Sequence, residues 1–228
     1  MYDGAMRVFF DDAFKKRFAE FLRHPVVDKV VGFIAVTPVM FTVFVFMGRA
    51  LEGYADIYNS LMALNQVLII TMTLVRRTPV RVSINPIYWV ITAGRTYWAF
   101  VVFYYISIWP SVAIVPPFVT GALLFISVVV MLMARLNLGR NIGFIPAQRR
   151  IVSTGIYAYV RHPIHIAYVL FLFSFMLQSF SAINCVIIGT GIVFTLAKSF
   201  IEERFLCESH EYQAYCDRVR YRWIPYVA

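Results

Sequence analysis

Six runs of mostly apolar residues, separated by short polar connections, constrain this chain more than any other feature. They fall near 29 to 48, 54 to 75, 86 to 109, 116 to 135, 163 to 180 and 182 to 202. A helix of roughly 20 such residues crosses the hydrocarbon layer of a bilayer. The chain has 228 residues, of which 61% are hydrophobic and only 14% charged. A water-soluble domain carries nearer ~25% charged residues. The pattern therefore predicts an all-α polytopic membrane protein with about six transmembrane helices.

The basic residues fall on alternate connections. Arg76, Arg77 and Arg81 follow the second run; Arg135, Arg140, Arg149, Arg150 and Arg161 follow the fourth; Lys198 and Arg204 close the sixth; the opposite side has only Arg49. By the positive-inside rule this predicts an even number of crossings with both termini cytoplasmic. The net charge of +9 is accordingly spread along membrane edges. Nucleic-acid recognition needs such charge gathered on one folded surface, so no nucleic-acid partner is expected, whereas anionic head groups in the membrane are. The polar, basic leader lacks the short apolar core of a signal peptide, which also points to a cytoplasmic N-terminus.

Residues 1 to 28 read as a cytoplasmic leader. Within it Phe10, Phe14, Phe18 and Phe21 share one helical stripe, predicting an amphipathic helix that lies on the bilayer. The second run carries Asn59, Ser60, Asn65 and Gln66, residues that in lipid hydrogen-bond to a neighbouring helix. Arg95 lies inside the third run, and a buried arginine there requires a carboxylate or an anionic ligand. Cys185, Cys207 and Cys216 make no disulfide framework. Cys207, Cys216 and His210 lack the paired spacing of a metal site, and no metal is expected.

The connection from about 136 to 162 is too long and too rich in aromatic and aliphatic residues for a disordered linker, and Gly139, Gly143, Pro146 and Gly155 punctuate it as a structured loop. The fifth and sixth runs are joined by almost nothing and must form an antiparallel hairpin. That hairpin brings His162, at the start of one run, towards Glu202 and Glu203 at the end of the other. Pro163 suits the first position of a helix, whose free N–H groups with Arg161 and His162 form a ready anion site. A ligand with a carboxylate, a diol and a positive centre would satisfy both walls, and S-adenosylmethionine has all three.

Three ordered elements carry a resemblance: IVSTGIYAYVRHP ending at Pro163, Glu202-Glu203 followed by Leu206, and a tail of the form YxxYxxxVxxRxIP from Tyr212 to Pro225. Together they resemble the isoprenylcysteine carboxyl methyltransferase family and the related phospholipid methyltransferases, with GRNIGFIPAQR resembling the bacterial branch. The resemblance implies residues 136 to 228 as a catalytic core with a cofactor-binding loop, a helical hairpin and a cytoplasmic tail, preceded by four transmembrane helices over 29 to 135. It implies a bacterial inner-membrane enzyme using S-adenosylmethionine, with cofactor contacts at Arg149, Arg150, Ile151, Val152, Tyr157, His162, Pro163, Ile164, His165 and Glu202. Lys198 stands where eukaryotic members place an arginine facing the methyl-accepting carboxylate, and His165 replaces the family's usual tyrosine. Lys198, Arg95 and Arg204 are the candidates for holding an acceptor.

The acceptor ranges over a prenylated cysteine, a phospholipid amine, a small thiol or another lipid, and no pattern bears on oligomeric state. Taken singly, Arg149 and Arg150 are positive-inside anchors and Tyr157 a belt aromatic; only their order within the three elements favours a site. A membrane reductase using NADPH is the enzymatic alternative, because sterol reductases share an RHP-like element and a tail that Tyr221, Arg222 and Pro225 echo. A non-catalytic membrane protein is the other.

Overall fold

The computed structural model describes residues 12–51, 57–143 and 147–226, and for residues 12, 38–39, 42–51, 57–59, 61–62 and 103–108 the backbone alone. Phe10 and Pro146 and the side chain of Asn59 lie outside that description. Helices occupy all six apolar runs: α2 (Pro25–Leu51), α3 (Ile57–Leu74), α4 (Pro86–Ile108), α5 (Pro117–Leu138), α6 (Pro163–Gln178) and α7 (Ala182–Leu206). They are preceded by α1 (Asp12–Arg23) and followed by α8 (His210–Arg218). Among the described residues, Pro117–Asn141 and Ala182–Leu206 are long and apolar enough to cross a membrane. Phe14, Phe18 and Phe21 lie exposed along α1, with the first two rings stacked at 5.9 Å.

Proline opens α2, α4, α5 and α6, where its fixed φ suits the first helical residue and its missing N–H leaves no helical bond unmade. The α6–α7 hairpin turns through residues 179–181, and the Ser181 hydroxyl caps α7 by accepting from the Asn184 N–H at 3.2 Å. α5 packs along α6 and α4 along α7, so the hairpin is clamped from both sides. Val102, Val128, Met131, Ala167, Leu172 and Ile188 form the shared core.

The described residues of the 139–162 connection form short regular elements. Two 3-10 turns (Gly139–Asn141 and Gly155–Ala158) flank strand β2 (Ala147–Gln148), which pairs antiparallel with β1 (Arg81–Val82). Gly155 has φ 62, and a Cβ there would meet Asn137 Oδ1 at 1.7 Å. That oxygen accepts the Ile156 N–H at 2.8 Å, so the turn is built around the missing side chain. Gly155→Ala is expected to cost about 1–2 kcal/mol from the left-handed backbone alone. The lost Asn137 bond adds to this, and chemical denaturation would measure the sum.

A buried ion cluster ties this loop to the first helices. Asp28, near the start of α2, receives Arg76 Nε at 2.8 Å through one carboxylate oxygen and Arg149 Nη2 at 2.8 Å through the other. All three side chains are at most 1% exposed. Arg76 fits because Gly32 presents bare backbone, where a Cβ would come within 2.6 Å of the guanidinium. Arg149 Nε also donates to the Arg77 carbonyl at 2.7 Å.

Candidate active site

The hairpin, the loop and α8 close around a cavity of about 250 Å3. Its loop end is walled by Arg149 to Val152, Tyr157, Arg161 and His162, with Tyr212 and Tyr215 of α8. Its helical end reaches Asn65 and Ile69 of α3, Arg95 and Phe100 of α4, Met131 and Arg135 of α5, and Tyr168 and Phe171 of α6. Residues 136 to 228 therefore do not wall it alone.

The hairpin brings the two histidines and the two glutamates together, with a pairing the chain does not advertise. His162 Nε2 meets Glu203 Oε2 at 3.1 Å, whereas Glu202 meets His165 at 3.5 Å and Lys198 at 3.1 Å. Ligating atoms of His162, His165 and Glu202 nevertheless lie within 4.8 Å of one another. Adjacent residues on a helix point about 100° apart, so Glu202 and Glu203 serve different walls. Glu202 shares the cavity face with Lys198, one turn before it. Glu203 faces the tail, where it also accepts Arg161 Nη2 at 2.8 Å and Arg222 Nε at 2.6 Å.

The same periodicity corrects the expectation for Arg204. It is exposed and lies in a separate groove beside α1, turned away from the cavity. Pro163 is buried as the first residue of α6 and does not line the cavity, while Ile164 does. The first turn of α6 offers fewer free N–H groups than predicted. Those of His165 and Ile166 both return to the His162 carbonyl, at 3.1 and 3.4 Å, which leaves Ile164. Arg149 lines the cavity, but two of its donors are spent on Asp28 and Arg77. Burial, followed by Arg76, draws its guanidinium down to about 10 against the opposing pull of Asp28, so it stays charged at neutral pH. Arg150 is exposed at the rim, and Ile151 and Val152 are half-buried against the opening.

Arg95 enters the cavity, as its position inside a run suggested. Its guanidinium lies 4.3 Å from the centroid of the Tyr168 ring, and its buried Nε has no acceptor among the described residues. Arg135, which reads in the chain as an anchoring charge, is buried and donates to Asn65 Oδ1 across α5 and α3. Neither was separable in the sequence from helix glue and membrane-edge charge. A basic residue closing one run and an amide inside another become a site only when α3 and α5 pack. Glu202 is the one carboxylate among the described lining residues, against Arg95, Arg135 and Lys198 at the helical end.

The phenols of Tyr157, Tyr212 and Tyr215 are pushed above the ordinary tyrosine range, chiefly by burial, and remain neutral donors. Tyr215 uses its hydroxyl to hold the Tyr157 carbonyl at 2.8 Å, joining α8 to the loop. Cys207, Cys216 and Glu203 also converge within 4.8 Å. Glu203 already serves Arg161, His162 and Arg222 there, and burial pushes the Cys216 thiol up to about 11.

The fold and the site define a helical protein with apolar helices of membrane-crossing length and a cavity at the mouth of a hairpin. Residues 117–213, covering α5, the loop, α6, α7 and the start of α8, match the phospholipid methyltransferase family. No curated protein matches the chain.

Proposed function

We propose that the protein is a multi-pass membrane methyltransferase that uses S-adenosylmethionine to methylate a lipophilic acceptor bearing an anionic oxygen, at the cytoplasmic face of a bacterial inner membrane. The observation that carries this reading is the cavity's charge. Among the described residues lining it there is a single carboxylate, Glu202, which is held by Lys198 and His165. Arg95 and Arg135 stand further in, without a lining carboxylate of their own among the described residues.

The residues present fit the cofactor. Glu202 offers an acceptor for a diol or a neighbour for a positive centre, and the buried Arg161 Nε is a donor lacking an acceptor among the described residues, suited to a carboxylate. When bound, S-adenosylmethionine supplies a methyl group already activated on a sulfonium. The chain's own residues then have a positioning role, in which bringing two reactants together supplies most of the rate. Arg95, Arg135 and Lys198 favour the ionised form of an acceptor carboxylate, because nearby positive charge lowers its pKa. An amine acceptor would have to lose a proton first, and the same cations would repel its charged form. Ile69, Phe100, Met131 and Phe171 give an apolar acceptor a path between helices. Tyr212 and Tyr215 cover the loop end against water.

Glu202→Gln is expected to weaken S-adenosylmethionine binding about 10- to 100-fold, the range for losing a hydrogen bond to a charged group. Titration of the purified protein in detergent measures it. Saturable binding that survives both Glu202→Gln and His162→Ala unchanged would refute the assignment. In membranes supplied with the labelled cofactor, label should then appear in the lipid fraction as a base-labile methyl ester, since methylation removes the charge of the accepting oxygen.

A further inference from the structure

A second, larger concavity of about 1650 Å3 lies outside the cavity. It is lined by α1, by residues 81–91 and by the last turns of α7. Most of these residues fall outside the family-matched segment. Phe205, 6% exposed, lines both spaces and forms the wall between them. The groove is thus a compartment distinct from the proposed acceptor path.

Its surface has two chemistries. Leu22 and Val82 form a small core beneath it, with Val31, Ile84 and Trp89 packed against them. The Trp89 indole is fixed by a 2.7 Å bond to the Ser83 carbonyl. Phe14, Phe18, Ile87 and Val90 lie on its walls at 40 to 68% exposure, an apolar surface that water covers poorly. The rim carries Lys15, Lys16, Arg23, Arg81 and Arg204, against Glu20 and Glu208. Arg81 and Glu208 pair with each other, and Arg23 donates to the Val80 carbonyl at 3.2 Å. Lys16 and Arg204 are exposed and make no ion pair among the described residues.

An occupant must therefore cover apolar walls and bring negative charge to the rim. Arg204 ends a helix of membrane-crossing length and Pro86 begins α4, so both mark helix ends at the level of lipid head groups if the helices cross. Aromatic residues with an apolar body and a polar edge, as at Trp89, are characteristic of that level. We infer that this groove binds one anionic glycerophospholipid, its acyl chains along the exposed Phe14, Phe18 and Val90 and its head-group charge met by Lys16, Arg204 and the rest of the basic rim. The inference rests on the chain residing in a bilayer, and it does not require methyl transfer.

The test is native mass spectrometry of the full chain, in detergent and without S-adenosylmethionine, after incubation with equimolar phosphatidylglycerol and phosphatidylcholine of identical acyl chains. One phosphatidylglycerol should be retained in preference, with the preference falling as salt is raised. A basic residue near an anionic lipid surface contributes roughly fivefold, so Lys16→Gln combined with Arg204→Gln should reduce the preference about 25-fold. Equal retention of the two lipids by the unaltered protein would overturn the inference, as would full preference in a folded double variant. Because the competition and the salt series use the unaltered chain, they decide the matter even where the variant fails to fold. Lipid retention without cofactor binding would leave the groove standing and sink only the methyltransferase reading.

Discussion

Replacing Asp28 with alanine is expected to destabilise the folded protein by about 3–5 kcal/mol, the cost of removing one partner from a buried ion pair. The effect should sit at the upper end, because one carboxylate serves both Arg76 and Arg149 and its loss strands two guanidinium groups away from water. Nη1 of each arginine is in addition buried without an acceptor among the described residues. Thermal melts in detergent measure the loss, and protease sensitivity across residues 147–152 reports release of the loop. Combining Asp28→Ala with Arg149→Met should cost less than the two changes added, since neighbours in one network couple. An Asp28→Ala protein that melts like the unaltered chain would remove Asp28 as the tie between the first helices and the cavity wall.

Glu203→Ala is the second change with a large expected effect. The carboxylate, in a residue 6% exposed, collects Arg161, His162 and Arg222 from two different segments. Arg222 is the most exposed of the three and contributes least, as solvent screens it. Breaking the buried contacts to Arg161 and His162 should again cost about 3 kcal/mol or more. The consequence is local as well as global. The tail lies against the start of α6 through Arg161 N–H to the Tyr221 carbonyl at 3.0 Å and His162 N–H to the Arg222 carbonyl at 2.8 Å. Trp223 Nε1 adds a bond to Ser199 at 3.2 Å. Limited proteolysis between Val219 and Trp223 should therefore accelerate in the variant, and cofactor affinity should fall with it. Unchanged protection of that segment would show that the tail is held by other contacts. Glu203→Gln, which keeps the shape and one acceptor oxygen, should give a smaller loss.

These two clusters also explain what each part of the proposed site does. Glu202 and Glu203 are adjacent, yet one faces the cavity and the other fastens the wall. A variant at Glu202 should alter ligand affinity directly, and one at Glu203 through the wall that it fastens. Arg149 belongs with the fastening group through Asp28, although its segment lines the opening.

Much of the architecture is legible in the chain because lipid-compatible helices announce themselves by composition. All six apolar runs are helical, prolines mark four helix starts, and the glycine at 155 sits where only a side chain of hydrogen fits. The three ordered elements around His162, Glu202 and Tyr212 likewise come together in space, since a short hairpin forces its two outer ends to meet. Which partner each charge takes is another matter. Glu203 rather than Glu202 receives His162, Arg204 points to a different compartment, and Arg95 and Arg135 meet the cavity from helices that the motifs do not touch. Periodicity along one helix predicts which residues share a face, but the face that becomes a cavity wall is chosen by packing between helices distant in the chain. Composition and spacing thus determined the helices and the meeting point, while tertiary packing alone decided which buried charges hold the structure and which remain available to a ligand.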